Sequence, residues 1–310
     1  MRGQYASSTW QTKAQAQAWA AEVEGEIRAG KAIGSTGRRV RDVLQRYADE
    51  VAPHNRGARR DGERIALMLS MPLADVPLEE VGNIHVIEYR DARLKKVLPA
   101  TVRREMNLMG GVFRYAVEEW HWLPESPCKG VRKPPAGKAR DRRISDDEIK
   151  ALMAAAGYKE GGRVRSTPEQ MALAFQLALE TAMRAGEILS LEWSQIHLNE
   201  GYLTLSTTKN GDARRVPLSQ RARQLLTLSA VEGSKVFSIN SNQLALSFNY
   251  YREKAKLSGF TFHDTRHEAI TRLAKKLDVL DLARMTGHRD LRSLQVYYNA
   301  TASEIAAQLG

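Results

Sequence analysis

A single cysteine, Cys128, stands among 310 residues, which excludes an internal disulfide and fits a chain kept in the reducing cytosol. No run of 18 apolar residues is present, so the sequence offers no helical membrane span. The opening stretch MRGQYASSTWQTK lacks the apolar core that a secretory signal needs. No group of Cys, His, Asp and Glu has metal-ligand spacing, and no internal repeat is visible, so neither a metal nor a solenoid is expected. Acidic residues are in deficit, with 36 Asp+Glu against 47 Lys+Arg, a net charge of +11 and a pI near 9.7. That balance favours a polyanionic partner, DNA or RNA first, although a basic enzyme with incidental charge has the same composition. The excess lies at the front: residues 1–143 hold 26 Lys+Arg against 18 Asp+Glu, and residues 144–310 hold 21 against 18.

What is present is mostly helical patterning, and at this length two or three domains are expected. Residues 9–29 form an amphipathic helix pattern, with Thr9 or Thr12 as cap, Gly30 beyond it, and Trp19, Val23 and Ile27 on one face. That face needs a cover, either a neighbouring domain or the remainder of an arm domain of which residues 1–35 are a remnant. Residues 36–123 carry four apolar stripes at helical spacing. They are Val40, Val43, Leu44 and Tyr47; then Ile65, Leu67, Met68 and Leu69; then Val86, Ile87, Tyr89 and Leu94; then Val102, Met106, Met109, Phe113 and Val117. The stripes predict a helical domain. Between them lie Arg38, Arg39, Arg41, Arg59, Arg60, Arg64, Arg103 and Arg104, which serve either as solvated helix faces or as phosphate contacts.

Residues 124–143, PESPCKGVRKPPAGKARDRR, are rich in proline and glycine, and 129–143 hold seven Lys+Arg against Asp141 alone. This predicts a linker whose Lys133, Lys138, Arg140, Arg142 and Arg143 strap a duplex, or a plain interdomain connection. Residues 144–310 predict a mixed domain. Ser145 and Glu148 fit a capping box, and Thr167-Pro168 starts a second helix. In GYLTLSTTKNGDARRVPL, alternating residues flank Asn210-Gly211, a hairpin signal. Helices are expected near 219–229, 241–257 and 264–276, with a short strand at 235–237. The predicted fold is mainly α with a small antiparallel β-sheet.

Chemistry gathers in the second half. FHDTRHEAI and MTGHRDLRSLQVYYN place His263, Arg266, His288 and Tyr297 within 35 residues, and upstream stand Arg184 in TAMRAGEIL and Lys209 at the hairpin tip. Two arginines, two histidines, a lysine and a tyrosine, without metal ligands, suit covalent cleavage of a phosphodiester. Guanidinium groups grip nonbridging phosphate oxygens bidentately and stay charged at any working pH. Glu187 follows Arg184 at a spacing suited to orienting it, and Arg184 is expected at the C-terminal end of a helix. The i, i+3 spacing sets His263 and Arg266 on one helix face, with His267 pointing elsewhere as support. Tyr297 and Tyr298 compete as nucleophile. Tyr297 is favoured, because a helical neighbour is turned by about 100° and loses in-line geometry.

TAMRAGEILSL, TTKNGDARRVPLS, FHDTRHEAITRL and MTGHRDLRSLQVYYN together resemble the boxes of the tyrosine recombinases, the phage integrase family. The likeness covers residues 144–310, the helical domain 36–123 and basic linker ahead of it resemble the family's core DNA-binding half, and ALETAMRAGEILSLEW with TKNGDARRVPLS is similar to shufflon-type DNA invertases within that family. The resemblance implies that Arg184 and Arg266 bind the scissile phosphate and that Lys209 protonates the departing 5′ oxygen. It also implies that His288 hydrogen-bonds the phosphate and that Tyr297, nine residues after His288, forms a 3′-phosphotyrosyl link without any cofactor. It implies double-stranded DNA bearing specific sites as partner, a homotetramer assembled partly through the tail 301–310, possible accessory DNA-bending proteins, and a place with the bacterial nucleoid in the cytoplasm. A type IB topoisomerase shares this chemistry, and a DNA-binding regulator with a dead site shares the composition. The assembling tail argues against the first, and the complete residue set against the second.

Overall fold

The computed structural model describes residues 12–28, 37–137, 142–205 and 213–298, with the backbone alone for 22–28. The chain divides into two compact units, Met1–Lys138 and Ala139–Gly310.

The first unit is helical. Helix α1 (Lys13–Arg28) starts after Thr12, whose Oγ1 accepts from the Gln15 amide at 3.3 Å. The face expected from Val23 and Ile27 lies outside the described side chains. Helices α2 (Val40–Glu50), α3 (Ala58–Leu69), α4 (Asn83–Leu94) and α5 (Pro99–Glu118) follow. Their buried faces repeat the predicted stripes: Val40, Val43, Leu44 and Tyr47 from α2, Ile65 and Met68 from α3, Val86 and Tyr89 from α4, and Val102, Met106, Met109 and Phe113 from α5. Pro99 opens α5 at a position where its missing N–H costs no helical bond. One stripe differs from the pattern. Leu94 is 38% exposed, while Arg93 is buried and forms a bidentate pair with Glu105 at 2.8 and 2.9 Å, with the Tyr89 hydroxyl donating to Glu105 at 3.0 Å. The first part of the segment expected as a linker lies against this unit. Asn83 Nδ2 donates to the carbonyls of Pro127 and Lys129, Arg90 to that of Arg132, and Arg103 to that of Pro134.

The second unit is built around α7 (Thr167–Thr181), which follows α6 (Asp146–Ala155) and is buried along nearly its whole length. Both helices start on capping boxes, Ser145 with Glu148 and Ser166 with Glu169. After the short helix α8 (Ala185–Leu189), strands β1 (Ile196–His197), β2 (Tyr202–Leu205) and β3 (Arg214–Pro217) form an antiparallel sheet in the order β1-β2-β3. Leu203 pairs with Val216 and both are fully buried, so the inward face of the sheet meets the α7 core. Helices α9 (Gln220–Thr227), α10 (Ser241–Lys254), α11 (Asp264–Leu273) and α12 (Val279–Thr286) complete the unit. Helices α9, α10 and α11 pack against α7, and Phe175, Phe248, Phe260 and Phe262 interlock with ring centroids 5.8–6.0 Å apart. Residues 235–237 do not form a strand among the described elements. Lys235 makes one isolated bridge to Glu192, and Val236 and Phe237 are buried as plain coil. No described helix is long and apolar enough to cross a membrane.

Candidate active site

Helix α7 ends at Thr181 because Ala182 turns left-handed, with φ 54° and ψ 19°. Such a conformation is costly for a residue with a Cβ and persists only where the surroundings hold it. The turn directs the Ala182 carbonyl toward α11, where Arg266 Nη1 donates to it. Two residues later Arg184 caps the start of α8 in extended geometry, φ −75° and ψ 149°. Arg184 therefore opens a short helix instead of closing a long one, because the left-handed turn at Ala182 ends α7 before the arginine is reached.

Glu187, one turn into α8, accepts from the Arg184 amide and from Arg184 Nη1, both at 2.9 Å. Its two oxygens also take Arg214 Nη1 at 3.1 Å and Nη2 at 2.8 Å. Burial alone would raise the carboxyl pKa. The hydrogen bonds from Arg214 and Arg184 outweigh it and hold Glu187 down at about 2. Arg184 spends only Nη1 and its amide on this carboxylate and stays part-exposed, which leaves donors of its guanidinium unspent among the described residues.

Arg266 is 5% exposed and gripped by main-chain oxygens, Ala182 on one side and Thr286 at 2.7 Å on the other. Burial, then the charge of Arg184, lower its pKa to about 10. His288 follows Gly287, which ends α12 at φ 72°, a conformation where glycine has no steric penalty. The Thr286 hydroxyl donates to the Leu282 carbonyl at 2.6 Å, so its contact with His288 Nδ1 at 2.6 Å requires the ring to donate. Nδ1 then carries the proton and Nε2 is left as an acceptor. Burial, then repulsion by Arg266, Arg184 and Arg214, lowers the His288 pKa to about 4, so the ring is neutral near neutral pH.

Tyr297 lies in a single 3-10 turn, Gln295–Tyr297, and its hydroxyl stands 2.8 Å from His267 Nδ1. Burial raises its pKa and the nearby Arg266 opposes that rise. His267 thus faces the tyrosine, because the 3-10 turn brings residue 297 over the α11 flank next to the one carrying Arg266. Tyr298 points the other way, donating to the Leu277 carbonyl at 2.9 Å. His263 caps α11, exposed, with its carbonyl accepting from the Arg266 amide. Arg184, Glu187, Arg266, His288 and Tyr297 are thus one electrostatic neighbourhood, with His267 at its tyrosine edge and His263 at the start of α11. Lys209 lies outside the described residues, between β2 and β3.

The basic residues expected on DNA are spread out. In the first unit Arg38 stacks on Trp122, 4.2 Å from the ring centroid, Arg39 bonds the Asp75 carbonyl, and Lys133 bonds Asn107 Oδ1 at 2.8 Å. Arg59, Arg60 and Arg104 are exposed, and Arg103 is tied to Pro134. In the second unit Arg142 pairs with Glu148, and Arg143 forms a bidentate pair with the buried Glu268. Lys138 and Arg140 lie outside the described residues.

Arg214 was not singled out from the sequence, although a signal for it exists. In a strand, residues two apart share a face. Val216 is core, so Arg214 faces inward, and its side chain is only 9% exposed. The carbonyl partners of Arg266 have no signal at all, since every residue type carries one.

Residues 142–304 match the sequence profile of the phage integrase family. A Haemophilus influenzae protein assigned as an integrase/recombinase is 35% identical over 272 residues, covering 86% of this chain and 89% of that protein. The shufflon-specific DNA recombinase of Escherichia coli is 32% identical over 278 residues, covering 86% and 70%. Among solved structures, a lambda integrase tetramer bound to a Holliday junction superposes with a TM-score of 0.69 at 20% identity, over 94% of this chain and 88% of that one. The mainly helical fold with its small antiparallel sheet is thus the fold of that structure.

Proposed function

The chain belongs to the phage integrase family and is a tyrosine-type site-specific recombinase, and from that premise we propose that it cleaves and rejoins duplex DNA through Tyr297. The Tyr297 Oη–phosphorus bond forms as the bond from phosphorus to the 5′ oxygen breaks. The phenolic proton passes to an imidazole of the α11 segment. The 5′ oxygen takes a proton from Lys209 and leaves as a hydroxyl. The phosphodiester energy is kept in the 3′-phosphotyrosyl link, so religation is the same step reversed with another strand's 5′ hydroxyl. Arg184 and Arg266 stabilise the charge that grows on the nonbridging oxygens, the largest contribution such a site makes.

The observation that supports this most is the charge balance. Among the described residues, Glu187 pairs directly with Arg184 and Arg214, and the charge of Arg266 lies within its reach, beside a tyrosine hydroxyl. The surplus positive charge is the complement of a phosphate. His288 adds a ring whose Nε2 becomes a donor on taking up a proton, a change that an arriving phosphate favours. The specific recombination sites, the tetramer on DNA and the roles of Lys133 and the first-unit arginines belong to the same proposal, supported by the net charge and by the junction-bound lambda integrase tetramer.

A duplex nicked beside the scissile phosphate, so that the 5′ fragment diffuses away, traps the intermediate. Tyr297→Phe is expected to form no covalent adduct and Tyr298→Phe to form it at the normal rate. The opposite pattern moves the nucleophile by one residue and sinks the assignment.

A further inference from the structure

Arg214 joins three chain segments that each carry a group assigned to the phosphate. Its Nη1 and Nη2 take both oxygens of Glu187, which holds Arg184. Its Nε donates to the Met285 carbonyl at 3.1 Å, two residues before Gly287 and three before His288. It opens β3, the strand that follows Lys209 in the sequence. The packing around it is close. A Cβ at Gly287 would stand 3.1 Å from Nη1 and 3.3 Å from Cδ, so a larger residue there would crowd the guanidinium, on top of the strain of its positive φ. The planar fork makes two parallel bonds to a carboxylate and one to a carbonyl, an arrangement an ammonium group cannot reproduce.

We infer that Arg214 is a positioning residue for cleavage, occupying Glu187 so that Arg184 keeps donors for the phosphate while fixing the His288 turn and the start of β3 against it. With Arg214 absent, Glu187 retains Arg184 as its one guanidinium partner among the described residues and draws it inward, away from the ligand. The inference rests on the proposed role of Arg184. A residue that merely anchored the fold would slow cleavage of every substrate alike, whereas a residue acting through Arg184 matters in proportion to the charge on the phosphate.

The test uses the full-length protein and two nicked duplexes, one with the natural scissile phosphate and one in which a methyl group replaces a nonbridging oxygen and removes the charge. Arg214→Met and Arg214→Lys are compared with Arg184→Ala and Tyr297→Phe, with binding and thermal midpoint measured alongside. On the natural phosphate Arg214→Met is expected to slow adduct formation by about 10²-fold, the scale of a misplaced catalytic group, with Arg214→Lys in between. On the uncharged phosphate the loss shrinks to a few-fold, in parallel with Arg184→Ala. Equal slowing of both substrates, or an unchanged rate on the natural one, overturns the inference. If Arg214→Met fails to fold, the Arg214→Lys pattern across the two substrates decides. An adduct formed by Tyr297→Phe overturns the proposed nucleophile instead, whatever the Arg214 variants do.

Discussion

Each unit buries an arginine–carboxylate pair, and the two pairs balance charge differently. In the first unit Arg93 and Glu105 meet one to one, and the Tyr89 hydroxyl donates a third bond to the carboxylate. Burial, reinforced by Glu105, pushes the Tyr89 hydroxyl pKa far above its ordinary value, so the cluster is electrically closed and proton-tight. In the second unit Glu187 serves two arginines directly and stands among three, beside a neutral histidine. The same chemical pair therefore marks core structure in one place and the proposed anion site in the other. Burial of charge alone does not separate the two cases. The sign and size of the remainder does.

The comparison can be broken at either end. Arg184→Ala is expected to lower the rate of adduct formation by about 10³-fold, or about 4 kcal/mol of transition-state stabilisation, while duplex affinity stays nearly unchanged. A proportional fall in affinity would make it an ordinary phosphate contact. Glu105→Ala leaves Arg93 buried and uncompensated, and should cost the first unit about 3–4 kcal/mol in denaturant unfolding. Adduct formation by the folded fraction should stay intact, and a specific loss of chemistry would erase the distinction between the units.

The pH dependence sharpens the contrast. His288 is held near pKa 4 against an ordinary 6.5. The neutral ring's contribution to stability is therefore fully present above pH 6.5 and is lost as pH falls through 4, at most about 3 kcal/mol. Glu187 and Glu268, both held at about 2 against 4.5, add their loss between those values. Denaturant titrations between pH 7 and pH 4 should show the second unit weakening first, and His288→Asn should flatten the upper part of that slope. Smallest of all, Tyr298→Phe removes one hydroxyl bond to the Leu277 carbonyl and should cost about 1 kcal/mol of stability.

The helices of the first unit were legible because their burial is periodic. The α2 stripe appears in the core residue for residue, and the α5 stripe does so except for Val117, which is only partly buried against it. The exchange of Arg93 for Leu94 was not legible, since it depends on Glu105 standing across from it on α5. In the second unit the box residues were legible by type and spacing, and the Glu187–Arg184 pair by its i, i+3 separation. What escaped was set by backbone geometry. The left-handed turn at an alanine carries no glycine to announce it, and it moved Arg184 from the end of one helix to the start of the next. The 3-10 turn that carries Tyr297 to His267 is a tertiary placement with no local pattern. Helix α12 escaped because its eight residues hold too few turns to show a period.

The grip on Arg266 has a bearing on evolution. A guanidinium held by a side-chain carboxylate is one nucleotide change away from losing its partner. Arg266 is held by the carbonyls of Ala182 and Thr286, and a carbonyl is present whatever amino acid occupies either position. Point substitutions at those two sites leave both acceptors in place, and only a change that bends the chain withdraws them. The grip on this arginine is therefore independent of side-chain identity at either position, although the left-handed turn at Ala182 and the hydroxyl of Thr286 constrain those sites for other reasons.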